Sequence, residues 1–550
     1  MSRIRKERQR KKRNQVVVFT LIAVALLLLL GGYIVYRQFF AKKALESYVP
    51  ENPVFVGRID LMPTLSQGRE LLALSEKFED QEFFSSILTN FVFGDIRQEQ
   101  IKLDQKDFTG WIGEEVLFGN IQASELKNLP IMVIRVKNRD KAAEFLSQMN
   151  DNLKVKGNVV TEEKFREQDL ILVEGDNEIS YALLENELLV SRGGSGVKKM
   201  IDVSLGKETS LAQNDNYQKT KKTLKGDKEM LFFYFDIFQL AGTFVNQFEI
   251  GGGDFFEKVG YAAEAPTGLV LSPQKTGFKM KMAVLGEQKG SDKENLKEKF
   301  NDEVPDDLVF YLEGKDLTEF LESLIVGQDS NSEDSKARAE AIKRGIELEL
   351  GINVDRDLLD LFKGQYALAL FRDNTGGNLN LSLILEQDDV KKAQEKMSKV
   401  EGLVIESFKR YQPEDFGDNR VFTNHQIGES EYRYLNLPEK YPLDVHYVFD
   451  EKKLILSTTE TALQNTLEID KKETLSKDHV YQNNFENVDV GKFQHLIYLE
   501  PQAGFKLVDD LTDFDYGILS KETRLLESFG IKSYQKGKNF YLEGYLKIKE

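Results

Sequence analysis

Ser195-Gly-Val-Lys198 and Lys275-Thr276-Gly277 are the residues of this chain whose types and spacing could do chemistry. A serine with a lysine three positions on, followed downstream by a Lys-Thr-Gly turn, is the pattern in which the hydroxyl attacks an acyl group and the lysine assists. That chemistry also needs a Ser-x-Asn element between the two. The segment available is Asn214-Asp215-Asn216, which lacks the serine and lies close behind Ser195. The stretch from Gly193 to Met200, GGSGVKKM, also imitates a phosphate-binding loop. It lacks the Gly-Lys-Ser/Thr at the spacing that lets backbone amides cradle phosphate while a hydroxyl holds magnesium. A corresponding stretch later in the chain suggests a plainer role. Ser191 matches Ser457 in Ser457-Thr458-Thr459-Glu460, which reads as a capping box, so both junctions are expected to start a helix and no catalytic residue is assigned.

Metal and cofactor chemistry finds little support. There is no cysteine, which removes disulfides, thiolate ligands and thiol nucleophiles. His425, His446, His479 and His495 show no ligand spacing. Asp329, Asn331, Glu333 and Glu340 occupy positions like those of a calcium loop, but Asp334 stands where the sharp turn needs glycine; a solvated loop before a helix is the expectation. Asp509, Asp510, Asp513 and Asp515 read as an acidic exposed helix face. Trp111, the one tryptophan, could stack on a sugar; its match with Phe362 favours a core anchor instead. No metal and no cofactor are expected.

The elements that position these residues begin with an apolar run. Val16–Tyr36 is 21 residues without a charge, and a helix of that length spans about 31 Å, the thickness of a hydrocarbon core. Eight Lys/Arg precede it and three follow closely. The positive-inside rule then places residues 1–15 in the cytoplasm as a basic tail, 16–36 as an uncleaved anchor, and the rest outside the cell membrane, with 37–44 as a stalk. The formal net charge of −17 divides into +10 on residues 1–43 and −27 on the remainder, a body that nucleic acid would repel.

The body reads as duplicated. Pro50 recurs as Pro305, Trp111 as Phe362, Gly113 as Gly364, Tyr181 as Tyr447 and Ser191 as Ser457, in the same order. DNYQK (215–219) echoes HVYQN (479–483), and LFFYFD (231–236) echoes HLIYLE (495–500). The expected units are residues 45–287 and 300–550, joined by a charged linker, 288–299. NLNLSLIL sets Leu379, Leu381, Leu383 and Leu385 against Asn380 and Ser382, and FKMKMAV sets Phe278, Met280 and Met282 against Lys279 and Lys281. This alternation predicts half-buried antiparallel strands. The fold class is therefore α+β: a transmembrane helix, then two homologous mixed domains of mainly antiparallel sheet, with helices over one sheet face and the other wet or turned to its counterpart.

The opening PENPVF after an N-terminal anchor, GWIGEEV (110–116) and the tyrosine-strand-strand-serine-helix unit (179–200) resemble an uncharacterised bacterial family of anchored, tandemly built envelope proteins, a domain of unknown function numbered 3352. The resemblance covers most of residues 45–550 and implies no activity, cofactor or catalytic residue. The expectation is a non-enzymatic, single-pass binding or scaffolding protein. Its partners would be the membrane, through Val16–Tyr36, and envelope proteins or a hydrophobic ligand. The alternatives are a carrier of a hydrophobic ligand or lipid and an envelope hydrolase with an unrecognised site.

Overall fold

The computed structural model describes residues 43–61, 70, 110–124, 127–174, 178–225, 229–236, 265–286, 295–318, 321, 333–372, 379–411, 421–437, 444–488, 490–511 and 525–549. Val16–Tyr36 lies outside them, and among the described residues no helix is long and apolar enough to cross a membrane.

A 3-10 turn, Leu45–Tyr48, opens the described chain. It is followed by β1 (Pro53–Asp60), β2 (Ile112–Ser124), β3 (Lys127–Val136), α1 (Arg139–Val155), β4 (Val159–Phe165), β5 (Gln168–Glu174), β6 (Ile179–Leu183) and β7 (Glu187–Ser191). Next come α2 (Gly194–Ser204), α3 (Asp215–Leu224), β8 (Leu231–Asp236), β9 (Pro266–Gln274) and β10 (Gly277–Val284). The second half opens with another 3-10 turn, Phe300–Asp302, then β11 (Leu308–Lys315), α4 (Glu333–Leu350), β12 (Gln365–Phe371), β13 (Leu381–Glu386) and α5 (Val390–Tyr411). It continues through β14 (Thr423–Ile427), β15 (Ser430–Leu435), β16 (Val445–Asp450), β17 (Lys453–Ser457), α6 (Glu460–Leu467) and α7 (His479–Glu486). It closes with β18 (His495–Leu499), α8 (Pro501–Leu511), β19 (Leu526–Lys536) and β20 (Asn539–Ile548).

The fold is mixed α+β, and the strands of the described residues form one 20-stranded sheet. Their pairings are antiparallel and run β4-β5-β6-β7-β3-β2-β1-β8-β9-β10 in the first half. The second half runs β14-β15-β16-β17-β13-β12-β11-β18-β19-β20. The two rows meet where β10 pairs with β20, from Gly277 opposite Lys547 to Val284 opposite Phe540. The sequence reading expected two separate sheets; the backbone of β10 instead finds its free edge satisfied by β20, which removes an exposed edge from each.

The expected wet face is also corrected. In β3, Ile131, Met132, Val133 and Ile134 are all buried, so both faces of this strand are covered. One face packs against α2 and α3 through Val197, Met200, Ile201 and Tyr217. The other packs against α1, whose Ala142, Phe145, Leu146, Met149 and Leu153 recur at helical spacing on one stripe. In β13 the polar residues are not wet. Ser382 and the preceding Asn380 are buried, Ser382 Oγ lies 2.7 Å from Ser457 Oγ, and it donates to the carbonyl of Ala462 in α6.

The packed chain also begins before the expected domain starts. Lys43, read as stalk, already touches the body: Arg135 donates to its carbonyl at 2.6 Å. Leu296, read as linker, is buried and bridges to Phe493.

Candidate functional site

The strand-to-helix junctions come first, because Ser195 sits in one. The cap of α2 is Gly193, with φ +81, and it contributes no side-chain bond. Only glycine enters that left-handed region at little cost. Ser195 is then the second helical residue and is exposed. Lys198 pairs with Glu163 at 2.6 Å and its ammonium lies over the ring of Phe165. In α6 the cap is Thr459, whose hydroxyl accepts from the amide of Ala462 at 3.0 Å. The box expected from Ser457 to Glu460 is therefore corrected by two residues. Ser457 ends β17 and spends its hydroxyl on Ser382, while Ser191 donates to the Pro130 carbonyl at 2.9 Å. Glu460 opens the first turn of α6, where an acid favours the positive end of the helix.

The other motif residues are placed as follows. Asn214 caps α3, accepting from the amide of Tyr217, and Asp478 caps α7 in the same way. Lys275 and Thr276 form the two-residue turn between β9 and β10, and Thr276 Oγ1 lies 2.7 Å from the Tyr545 hydroxyl. Pro50 bridges Ser210 and Pro305 bridges Thr474. Tyr181 donates to Asn150 Oδ1 at 2.7 Å, and Tyr447 donates to Glu401 Oε1 at 2.6 Å, each reaching the helix that follows its third or thirteenth strand. Trp111 is 1% exposed and tilts against Phe145 at 5.3 Å; Phe362 is half-buried against the α5 side of the second half. Gly113 and Gly364 lie against the backbone carbonyls of Arg135 and Glu386.

What the sequence reading missed is a pair of buried polar clusters under the two 3-10 turns. In the first half Glu46, 3% exposed, accepts from Tyr217 at 2.7 Å and Lys221 at 2.6 Å, with Arg58 at 3.4 Å. Burial pushes the Glu46 carboxyl up, but the Lys221 ammonium and the hydrogen bonds outweigh it and hold it at about 2. Beside it, Arg135 pairs with Glu187, Tyr48 donates to Glu187 Oε2 at 2.7 Å, and Glu115 lies 3.5 Å from Arg135. In the second half a buried acid, Glu313, replaces the cation. It accepts from Tyr311 at 2.8 Å, from Gln365 at 2.5 Å and from the Lys299 amide at 2.9 Å. Burial raises its carboxyl to about 7, although the hydrogen bonds pull the other way. Both clusters hold the segment that enters each half of the sheet. Tyr217 and its neighbours stood in a matched motif, but nothing local pointed to Glu46, Arg58 or Glu313.

The histidines do not converge on a metal; among the described residues no group of three potential ligands exists. His446 is buried, its ring stacked on Tyr434 at 4.6 Å, and burial lowers it to about 4. His425 lies on β14 against Tyr432 and Tyr434, His479 opens α7, and His495 lies on β18. Glu333, Asp334 and Glu340 lie on α4, whereas Asp329 and Asn331 are outside the described residues. Asp509 and Asp510 lie on α8; Asp513 and Asp515 are outside.

A family model for proteins of unknown function matches residues 20–503. The chain belongs to the DUF3352 family. Among solved structures, crystal form I of TP0453 shares 11% identity with this DUF3352 chain, covering 46% of it and 82% of TP0453, at a TM-score of 0.25. Crystal form III shares 10%, covering 46% and 83%, at 0.26. No curated protein matches.

Proposed function

We propose that this DUF3352 chain is a single-pass envelope protein whose extracytoplasmic body, two homologous copies, is a binding or scaffolding surface. The anchor is Val16–Tyr36, with the N-terminus cytoplasmic. The observation that carries this reading is the β10–β20 pairing, which turns two ten-strand rows into one continuous sheet. Such a joined sheet suits a rigid extended surface better than a cleft, and Lys198, the residue a serine nucleophile would need, is engaged by Glu163. The test is cross-linking of the full-length protein in its native membrane, followed by identification of the captured envelope proteins. The reading expects specific protein adducts that depend on the folded body. Recovery of the chain alone, in the soluble fraction, would overturn it.

A second reading, a carrier of a hydrophobic ligand, draws on one feature. Leu231, Leu271, Met280, Met282, Leu542 and Ile531 share a face across β8, β9, β10, β20 and β19, and each is only partly buried. Flexible methionines suit a variable apolar ligand. Mass spectrometry of lipid extracted from the purified protein separates the two readings.

A further inference from the structure

The turn after α2 exposes a leucine beside the point where the chain enters the body. Leu205, the C-cap of α2, is 52% exposed, and Gly206 with φ +74 turns the chain away behind it. Its neighbour Ser204 accepts a hydrogen bond from the ammonium of Lys43 through its carbonyl. Lys43 is fixed to the body from the other side as well, where Arg135 donates to its carbonyl. The next residues, Leu45–Tyr48, are locked by Glu46 and Tyr48 into the buried cluster described above. Leu205 therefore lies beside the point where the chain enters the body.

Only residues 37–42 separate that point from Tyr36, the end of the apolar run. Fully extended, the span from Tyr36 to Lys43 reaches at most about 25 Å. Phe39 and Phe40 fall within that span of the sequence. Lys207, loosely paired with Asp202 at 3.7 Å and followed by the exposed Glu208, and Lys43 lie on either side of Leu205. An exposed leucine with a lysine on either side can enter the apolar edge of a bilayer while the ammonium groups reach its headgroups. The second half, which no apolar run precedes directly, is built differently here. After α6 the chain exposes Asp470, Lys471, Lys472 and Glu473.

We infer that the Leu205-Gly206-Lys207 turn is a membrane-contact surface, through which the body rests on the same bilayer that its anchor crosses. This rests on the anchor reading above, and the experiment keeps the two apart. The chain has no cysteine, so single-cysteine variants of the full-length protein can each carry one environment-sensitive fluorophore. Leu205→Cys, Leu28→Cys within the apolar run, and Leu348→Cys on α4, where the side chain is 87% exposed, are reconstituted into vesicles of phosphatidylethanolamine and phosphatidylglycerol. Quenching by nitroxide-labelled lipid is then measured. Expected is strong quenching at 28, quenching at 205 at least about twofold above that at 348, and a loss of the excess at 205 when anionic lipid is removed. Quenching at 28 with 205 no different from 348 overturns the contact and leaves the anchor standing. No quenching at 28 overturns the anchor and the contact with it. Shielding at 205 that grows with protein density rather than with lipid quencher means a second copy covers the leucine, and also overturns the proposal.

Discussion

The hydroxyl of Tyr217 donates to Glu46 Oε1 across 2.7 Å, joining α3 to a turn 171 residues earlier. With Lys221 and Arg58 on the same carboxylate, this contact closes the entry of the chain into the sheet.

Glu46→Gln should destabilise the protein by about 2–3 kcal/mol at pH 7, because it leaves Lys221 without its acid and Arg58 with Glu115 alone. The folded carboxyl sits at about 2, below its unfolded range, so its contribution is complete at neutral pH and is lost as pH falls through the acid range towards 2. Urea midpoints at pH 7 and pH 3 should show the wild-type advantage shrinking at the lower pH. An equal gap at both would mean the charge is irrelevant.

Glu313 should act in the opposite sense. Its folded carboxyl sits at about 7, above the unfolded value, so the folded state holds the proton more tightly. Stability from this group is full below the unfolded value and falls as pH rises to 7. Glu313→Gln keeps the shape of the protonated form. It should flatten the decline between pH 5 and 8 and leave the variant the more stable at pH 8. A parallel decline in both proteins would exclude Glu313 as the cause.

At the helix junctions, Thr459→Ala should cost about 1 kcal/mol, the usual loss of a cap, while Ser195→Ala should stay within about 0.5 kcal/mol. Thermal denaturation of the two variants checks the ranking. A fluorophosphonate or fluorescent β-lactam should leave Ser195 unlabelled in the native protein; covalent labelling there would establish an enzyme.

Gly364→Ala would place a Cβ 2.3 Å from the Glu386 carbonyl oxygen, a contact only backbone movement can relieve. It should cost at least about 2 kcal/mol. Gly113→Ala meets Arg135 Cγ at 2.7 Å and its carbonyl oxygen at 2.9 Å, so it should be milder. Denaturant titration of the pair gives the order, and the reverse order would contradict the geometry.

Much of the secondary structure was legible because local spacing carries it. The alternation in FKMKMAV falls on β10 and that in NLNLSLIL on most of β13; the helical runs RDKAAEFLSQMNDNL (139–153) and DVKKAQEKMSKV (389–400) fall on α1 and on the first half of α5, which continues to Tyr411. The cap of α6 was placed two residues early because Ser457, Thr458 and Thr459 all carry hydroxyls. Only the end of β17, with Ser457 still paired to Ser382, tells which one begins the helix.

By itself the sequence determined the strand periods, the helix stripes, the apolar run and the absence of thiol chemistry, since each depends on neighbours along the chain. The tertiary structure alone decided that β10 pairs with β20, that Asn380 and Ser382 face a helix rather than water, and that Glu46 meets Lys221 while Glu313 is held by Tyr311, Gln365 and the Lys299 amide. A period of two states which side chains share a face and says nothing of what covers it. Burial, which sets the cost of every charge and hydroxyl placed there, comes from segments far along the chain, 80 residues away for Ser382 and 175 for Glu46.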